Sequence, residues 1–156
     1  MRRLNNCLEN IKYTNVPIWF MRQAGRYLKE FQEIRKKNPN FINLCLNEKL
    51  VKEISQQPIK RFDLDAIILF SDILIIPYGL GQRVSFEKNT GPILGNLNLD
   101  LIIKTKEINF INRVYPVYKS ISLLKNSMDY QNKSLIGFAG APWTLLLYMI
   151  YKQSPK

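Results

Sequence analysis

The chain contains no histidine. Absent with it is the one side chain whose unperturbed pKa lies near neutrality. Ser-His-Asp and Cys-His nucleophile systems are therefore excluded within this chain, as are zinc sites built on imidazole. Cysteine is nearly as scarce. Cys7 and Cys45 are the two present, and their wide separation reads as reduced thiols of a cytosolic protein, not as a disulfide framework. Acidic residues are few as well: 12 Asp and Glu stand against 23 Lys and Arg, for a net charge of +11. Such a surplus attracts nucleic acid, anionic lipid and acidic small molecules alike. Yet 15 Lys, 15 Asn and 19 Ile make up nearly a third of the 156 residues. AT-rich codons encode all three, so the charge also fits coding bias on a solvated surface, and net charge alone fixes no function.

Long apolar runs are missing too. The longest, "AIILFSDILIIPYGLG", is interrupted by Asp72 and Pro77, which makes it too short and too broken to span a bilayer. The opening "MRRLNNCLEN" has two arginines but no apolar core of a secretory signal. A soluble, cytoplasmic protein with no membrane partner is expected. Neither G-x-G-x-x-G nor G-x-x-x-x-G-K occurs, so the nucleotide-binding fingerprints are absent.

What is present suffices for one domain with a core: 46% of residues are hydrophobic and 12% aromatic. Val16 to Met21 is short, apolar and β-rich, with Pro17 at a position that suits the start of a strand. Leu28, Phe31 and Ile34 recur at helical spacing over 27–37, and Asn38-Pro39 should stop that helix. Asn47 is a candidate cap for a second helix with a stripe of Leu50, Val51 and Ile54. Pro58 should kink or divide it, with Ile59 and Phe62 continuing the face. "DAIILF" and "LIGFAG" are continuous apolar runs of strand length, the pattern of strands buried on both faces. Between them lie a possible hairpin around "RVSFEKNTGPI" and a helical stripe of Val114, Val117, Tyr118, Ile121, Leu124 and Met128. Pro142 suits the first position of a final helix running nearly to the chain end. Strand and helix alternate, which implies an α/β fold on a parallel sheet.

In such folds functional residues gather beyond the carboxyl ends of the strands. Three segments carry chemistry there. After the first run comes "MRQAGRY", with Arg22 and Arg26 four residues apart. Guanidinium groups grip carboxylates bidentately and keep their charge. Gly25 permits a tight turn that would also aim backbone N–H groups at an anion. After the second run, Ser71 and Asp72 follow "IILF" in apolar surroundings, and a carboxylate buried there needs a partner. An arginine of the first loop is the expected one. After the third, the small-residue turn "GFAGAP" leads to Tyr148, which on local grounds alone reads as a core tyrosine.

These segments add up to a resemblance. "PIWFMRQAGRYLKEFQEIR", "LDAIILFSDIL" and "LIGFAGAPWTLLLYM" closely resemble the uroporphyrinogen decarboxylase family, over about residues 10 to 151. The resemblance implies conversion of uroporphyrinogen III to coproporphyrinogen III in haem biosynthesis, by removal of four acetate carboxylates. It implies a (β/α)8 TIM barrel, a homodimer, and no metal or organic cofactor. The loop Arg22, Gln23, Ala24, Gly25 and Arg26 then binds substrate, Asp72 faces the pyrrole N–H groups as the catalytic carboxylate, and Tyr148 borders the reacting acetate. It further implies that residues 1–156 form a single incomplete domain, the N-terminal portion of the barrel with about three βα units. The missing half, on a complementary C-terminal half chain or on the rest of a full-length protein of which this is a fragment, would bring the serine and histidine the family also uses. Two other classes stay open: an inactive remnant, and a basic fragment binding anions or nucleic acid. The scattered lysines and core-facing aromatics speak against nucleic acid.

Overall fold

The computed structural model describes residues 2–11, 15–25, 27–87, 90–127 and 132–154. A first short helix, α1 (Arg3–Leu8), precedes an extended segment without regular structure. Three helices follow: α2 (Lys29–Lys37), α3 (Phe41–Cys45) and α4 (Glu48–Arg61). Strand β1 (Ala66–Ile68) leads through α5 (Ile75–Gly79) to the antiparallel pair β2 (Val84–Glu87) and β3 (Gly91–Leu94). Then come α6 (Leu99–Lys104), α7 (Glu107–Lys125), β4 (Ser134–Ile136) and α8 (Pro142–Tyr151).

Strands β1 and β4 pair in parallel, with Ala66 opposite Ser134 and Ile68 opposite Ile136. Beyond the ladder, the Leu69 N–H donates to the Ile136 carbonyl at 2.9 Å. A parallel pair needs a crossover, and here it runs through α5, the β2–β3 hairpin, α6 and α7. The α/β character and the hairpin inferred from sequence are both present; Lys88 and Asn89 of the hairpin lie outside the described residues.

Local chemistry explains the helix ends. Asparagine oxygens of Asn40, Asn47 and Asn98 accept the N–H of Asn43, Leu50 and Leu101 and so cap α3, α4 and α6. Asn38 ends α2, its side-chain amide donating to the Ile34 carbonyl. Pro142 stands in the first turn of α8, where a missing N–H costs nothing. Helix α4 is not divided at Pro58, which is buried inside it. Phe62 falls just past its end and is exposed, so the apolar face stops at Ile59.

The core lies where α2, α3, α4 and α7 cover one side of β1. Leu28, Val51, Ile54, Ile67 and Leu124 are fully buried there. Phe70, just beyond β1, packs edge-to-face on Phe31 and Phe41 with ring centroids 5.7 and 5.8 Å apart. A smaller cluster joins Leu74 and Leu94 to Leu145 and Met149 of α8.

Two expectations need correction. Val16 to Met21 is not a strand: Val16, Ile18, Trp19, Phe20 and Met21 are all exposed. The reason is that backbone pairing with the β1 edge begins and ends at one residue. The Asp65 N–H donates to the Ile18 carbonyl, and the Ile18 N–H donates not to backbone but to the Asp65 carboxylate at 2.8 Å. Pro17 has no N–H to give. The run "LIGFAG" is also shorter as a strand than expected. Beyond Ile136, Gly137, Phe138 and Ala139 are exposed, because β4 has a strand neighbour on one edge only among the described residues.

Candidate functional site

The carboxyl ends of β1 and β4 point the same way, so the segments that follow them emerge side by side. After β1, the backbone is anchored by a serine on α4. Ser55 Oγ donates to the Val51 carbonyl at 2.7 Å and accepts the Phe70 N–H at 2.8 Å, wholly buried. Two residues on, Asp72 closes a local turn: its Oδ1 accepts the Leu74 N–H at 2.8 Å and delivers the chain into α5.

Asp72 is half-buried. Burial pushes its carboxyl above the ordinary aspartate range, and the Leu74 N–H opposes that rise in part. Its field reaches Cys45, the last residue of α3. The Cys45 thiol is pushed up to about 12, chiefly by burial, further by the negative charge of Asp72, and is drawn down by Arg35. The Arg35 guanidinium lies over the Phe41 ring, 5.4 Å from its centroid, and donates to the Asn38 carbonyl.

After β4, the turn 137–141 meets the Asp72 segment directly. A Cβ on Gly140 would stand 3.1 Å from the Ile73 Cβ and 2.6 Å from the Leu145 Cδ2, so the two segments approach closely and a side chain there would have to displace both neighbours. Helix α8 then packs Leu145 and Met149 on Leu74. Tyr148, partly buried beside that cluster, donates from its hydroxyl to Ser154 Oγ at 3.3 Å. The structure thus brings the turn carrying Asp72 and the helix carrying Tyr148 into one neighbourhood.

The arginine loop is built differently. Gln23 is buried against β1, Ala24 packs partly on the main core, and Gly25 leads out to an exposed Tyr27. Arg22 is exposed and makes no ion pair with Asp72, contrary to the pairing expected from sequence. Asp72 is only half-buried and already accepts a backbone N–H, so it can stand without a cation. Arg26 lies outside the described residues.

Sequence reading missed Ser55 and Arg35. Ser55 had a legible signal: a hydroxyl one residue past Ile54 in an otherwise apolar stripe. Arg35 had none, being one of three consecutive basic residues at the end of α2. A separate cavity of about 690 Å³ is lined by Arg2, Lys125 and Lys133 together with Leu69, Ile121 and Leu135. None of the candidate site residues named from the sequence lines it. No helix among the described residues is long and apolar enough to cross a membrane.

A parallel strand pair whose trailing turns pack the Asp72 turn against the helix carrying Tyr148 defines an α/β protein with its candidate groups at the carboxyl ends of the strands. The comparison with known families makes this specific. The family model for uroporphyrinogen decarboxylase matches residues 1–156, and the chain belongs to that family. Among curated relatives, the uroporphyrinogen decarboxylase of Chelativorans sp. (strain BNC1) is 44% identical over 149 residues, covering 96% of this chain and 43% of the relative. That of Rickettsia felis is 43% identical over 150 residues, again 96% of this chain and 43% of the relative. That of Brucella anthropi is 46% identical over 134 residues, with 86% and 39% covered. The chain therefore spans less than half the length of the relatives it matches.

Proposed function

We propose that this chain supplies the N-terminal part of a uroporphyrinogen decarboxylase site. The reaction would convert uroporphyrinogen III to coproporphyrinogen III in the cytoplasm. Residues 1–156 would form one incomplete domain, about three βα units of a (β/α)8 barrel, completed by the C-terminal portion of the fold and dimerising as a whole. The carrying observation is the meeting of the Asp72 turn with the Gly140–Tyr148 segment at the carboxyl ends of paired parallel strands.

Losing CO₂ from an acetate on a pyrrole requires an electron sink, and ring protonation provides one. The cation formed needs a fixed negative charge nearby. An Asp72 carboxylate about 4 Å away, at an effective dielectric of about 20, contributes roughly 4 kcal/mol of attraction. That corresponds to about 10³-fold in rate. Burial raises the Asp72 pKa in the free chain; the cation formed when the ring is protonated during turnover would favour the charged carboxylate. Arg22, exposed and unpaired among the described residues, is available to a substrate carboxylate, with Arg26 as the second grip. Tyr148 would border the reacting acetate.

The test is reconstitution. The chain is combined with the remaining C-terminal portion of the Rickettsia felis relative, uroporphyrinogen III is supplied under reducing conditions, and coproporphyrinogen is measured. Asp72→Asn should lower turnover about 10³-fold while assembly of the two chains persists. Full turnover by Asp72→Asn rules out the role given to this carboxylate.

A further inference from the structure

Gln23 sits inside the arginine loop, where a substrate contact would be the natural expectation. Its side chain is instead turned in against β1 and held by backbone. The amide is buried, with 4% of the residue exposed. Its Nε2 donates to the Ala66 carbonyl at 2.8 Å, and its Oε1 accepts the Ile68 N–H at 3.0 Å. Those two backbone groups lie on the edge of β1 that does not face β4. A neighbouring parallel strand would offer them one donor and one acceptor from its own peptide groups. A primary amide carries the same two functions on one carbon, so Gln23 closes the β1 edge as one residue of a parallel strand would.

This replaces a strand with a clasp. Because the side chain does the pairing, the backbone at 22–25 is released from strand geometry where Arg22 leaves the sheet. The loop is then shut from its other side. The Tyr27 hydroxyl donates to the Gln23 carbonyl at 3.1 Å, and the Leu28 N–H donates to the Gly25 carbonyl at 3.0 Å. The Tyr27 ring lies against Gly25 so closely that a Cβ there would stand 2.3 and 2.5 Å from two ring carbons.

We propose that Gln23 is a positioning residue for Arg22: its amide fixes the arginine loop to β1 and does not touch the ligand. This rests on the reading of Arg22 as a carboxylate grip. The probe is uroporphyrin, the oxidised octacarboxylate, titrated by fluorescence against the full chain and its variants. Arg22→Ala should weaken binding about tenfold, the size of one lost charge-assisted contact. Gln23→Leu, close in size but unable to hydrogen-bond, should weaken it comparably. The double variant should bind no more weakly than Arg22→Ala alone, because a grip that is out of place and a grip that is missing are the same loss. Leu124→Ala, a general core deletion, should instead add to Arg22→Ala. Gln23→Glu keeps the acceptor for Ile68 but faces the Ala66 carbonyl with oxygen, and should fall between.

Amide hydrogen exchange gives a second readout. In Gln23→Leu the Ile68 N–H should lose protection while the Leu69 N–H, held by Ile136 across the sheet, keeps its own. Additive losses for Gln23→Leu and Arg22→Ala, or an unchanged Ile68 amide, overturn the proposal. If Arg22→Ala binds uroporphyrin as well as the parent chain, the carboxylate-grip reading falls instead, and Ile68 exchange still reports whether the clasp exists.

Discussion

Two regions of the molecule are finished to different degrees. Over β1, the side chains of α2, α4 and α7 leave Leu28, Ile54, Ile67 and Leu124 with no accessible surface. Around the strand tips and β4, Phe20 is 62% exposed, Phe138 47% and Trp143 69%. Composition does not separate the regions, since both are rich in large apolar residues. What separates them is whether a neighbour is present to pack against. Exposed apolar residues of this size are what a family member spanning 43% of its relatives would present where the rest of the fold belongs.

The two thiols report that difference most steeply. Cys45 lies in the packed region with its pKa near 12, whereas Cys7 on α1 is only partly covered. A rise from 9.0 to about 12 leaves roughly a thousandfold less thiolate at a given pH below both values. At pH 8, Cys7 should react promptly with a disulfide reagent and Cys45 only after unfolding. Equal rates in the native chain would show that the packed side opens as readily as the other. Asp72→Asn should slow Cys45 labelling in partly denaturing conditions at pH 8, because labelling waits on unfolding and the variant lacks a carboxylate whose pKa burial raises.

Core deletions sharpen the contrast next. Leu124→Ala removes a fully buried side chain and should destabilise the chain by about 2–5 kcal/mol in denaturant titrations. Trp143→Ala, on the exposed first turn of α8, should shift the same curve by less than about 0.5 kcal/mol. When the remaining C-terminal portion of a relative is bound, the Trp143 effect should grow. Similar losses at both positions in the free chain would erase the distinction between the regions.

Ser55→Ala comes third. It removes one hydroxyl but orphans the buried Phe70 N–H, so about 1–3 kcal/mol should be lost. The loss should be felt in the Asp72 turn two residues away, seen as faster amide exchange at Leu74, whose N–H is held by Asp72. Ser55→Thr, which restores a hydroxyl, should recover part of it.

The contrast between regions also explains what could be read from the sequence. The helices of the packed side were legible because their stripes do bury: Phe31 and Ile34, Val51 and Ile54, Val114 and Leu124 follow the helical period into one core. Asn47 was legible as a cap because its chemistry is local. Val16 to Met21 misled because an apolar, β-rich run does not show whether a neighbouring backbone pairs along it, and here only Ile18 pairs with the start of β1. Short α1, α3, α5 and α6 went unread since five or six residues give too little period. The site was half legible. Asp72 and Tyr148 were chosen for their place after apolar strands, and the structure does bring their segments together. Gln23 enters the ligand contacts by the family resemblance alone, and which way its amide faces is not legible in the sequence.

Asp72 supplies the last and mildest test, in pH. Burial raises its pKa in the folded chain, so the folded state keeps a proton over a range where the unfolded chain has lost it. The ordinary aspartate value is about 3.9. Stability should therefore fall as pH rises from there through the raised value, and level off above it. Asp72→Asn keeps an oxygen for the Leu74 N–H but carries no charge, so it should be free of that fall. Its melting temperature should exceed the parent's at pH 7 and converge with it near pH 3.5. A parent chain that gains stability over this range relative to Asp72→Asn would show that a cation, not burial, governs Asp72. The predicted sign also bears on function. A carboxylate that destabilises the chain carrying it, and whose removal stabilises that chain while abolishing turnover on reconstitution, is kept for its chemistry and not for the fold.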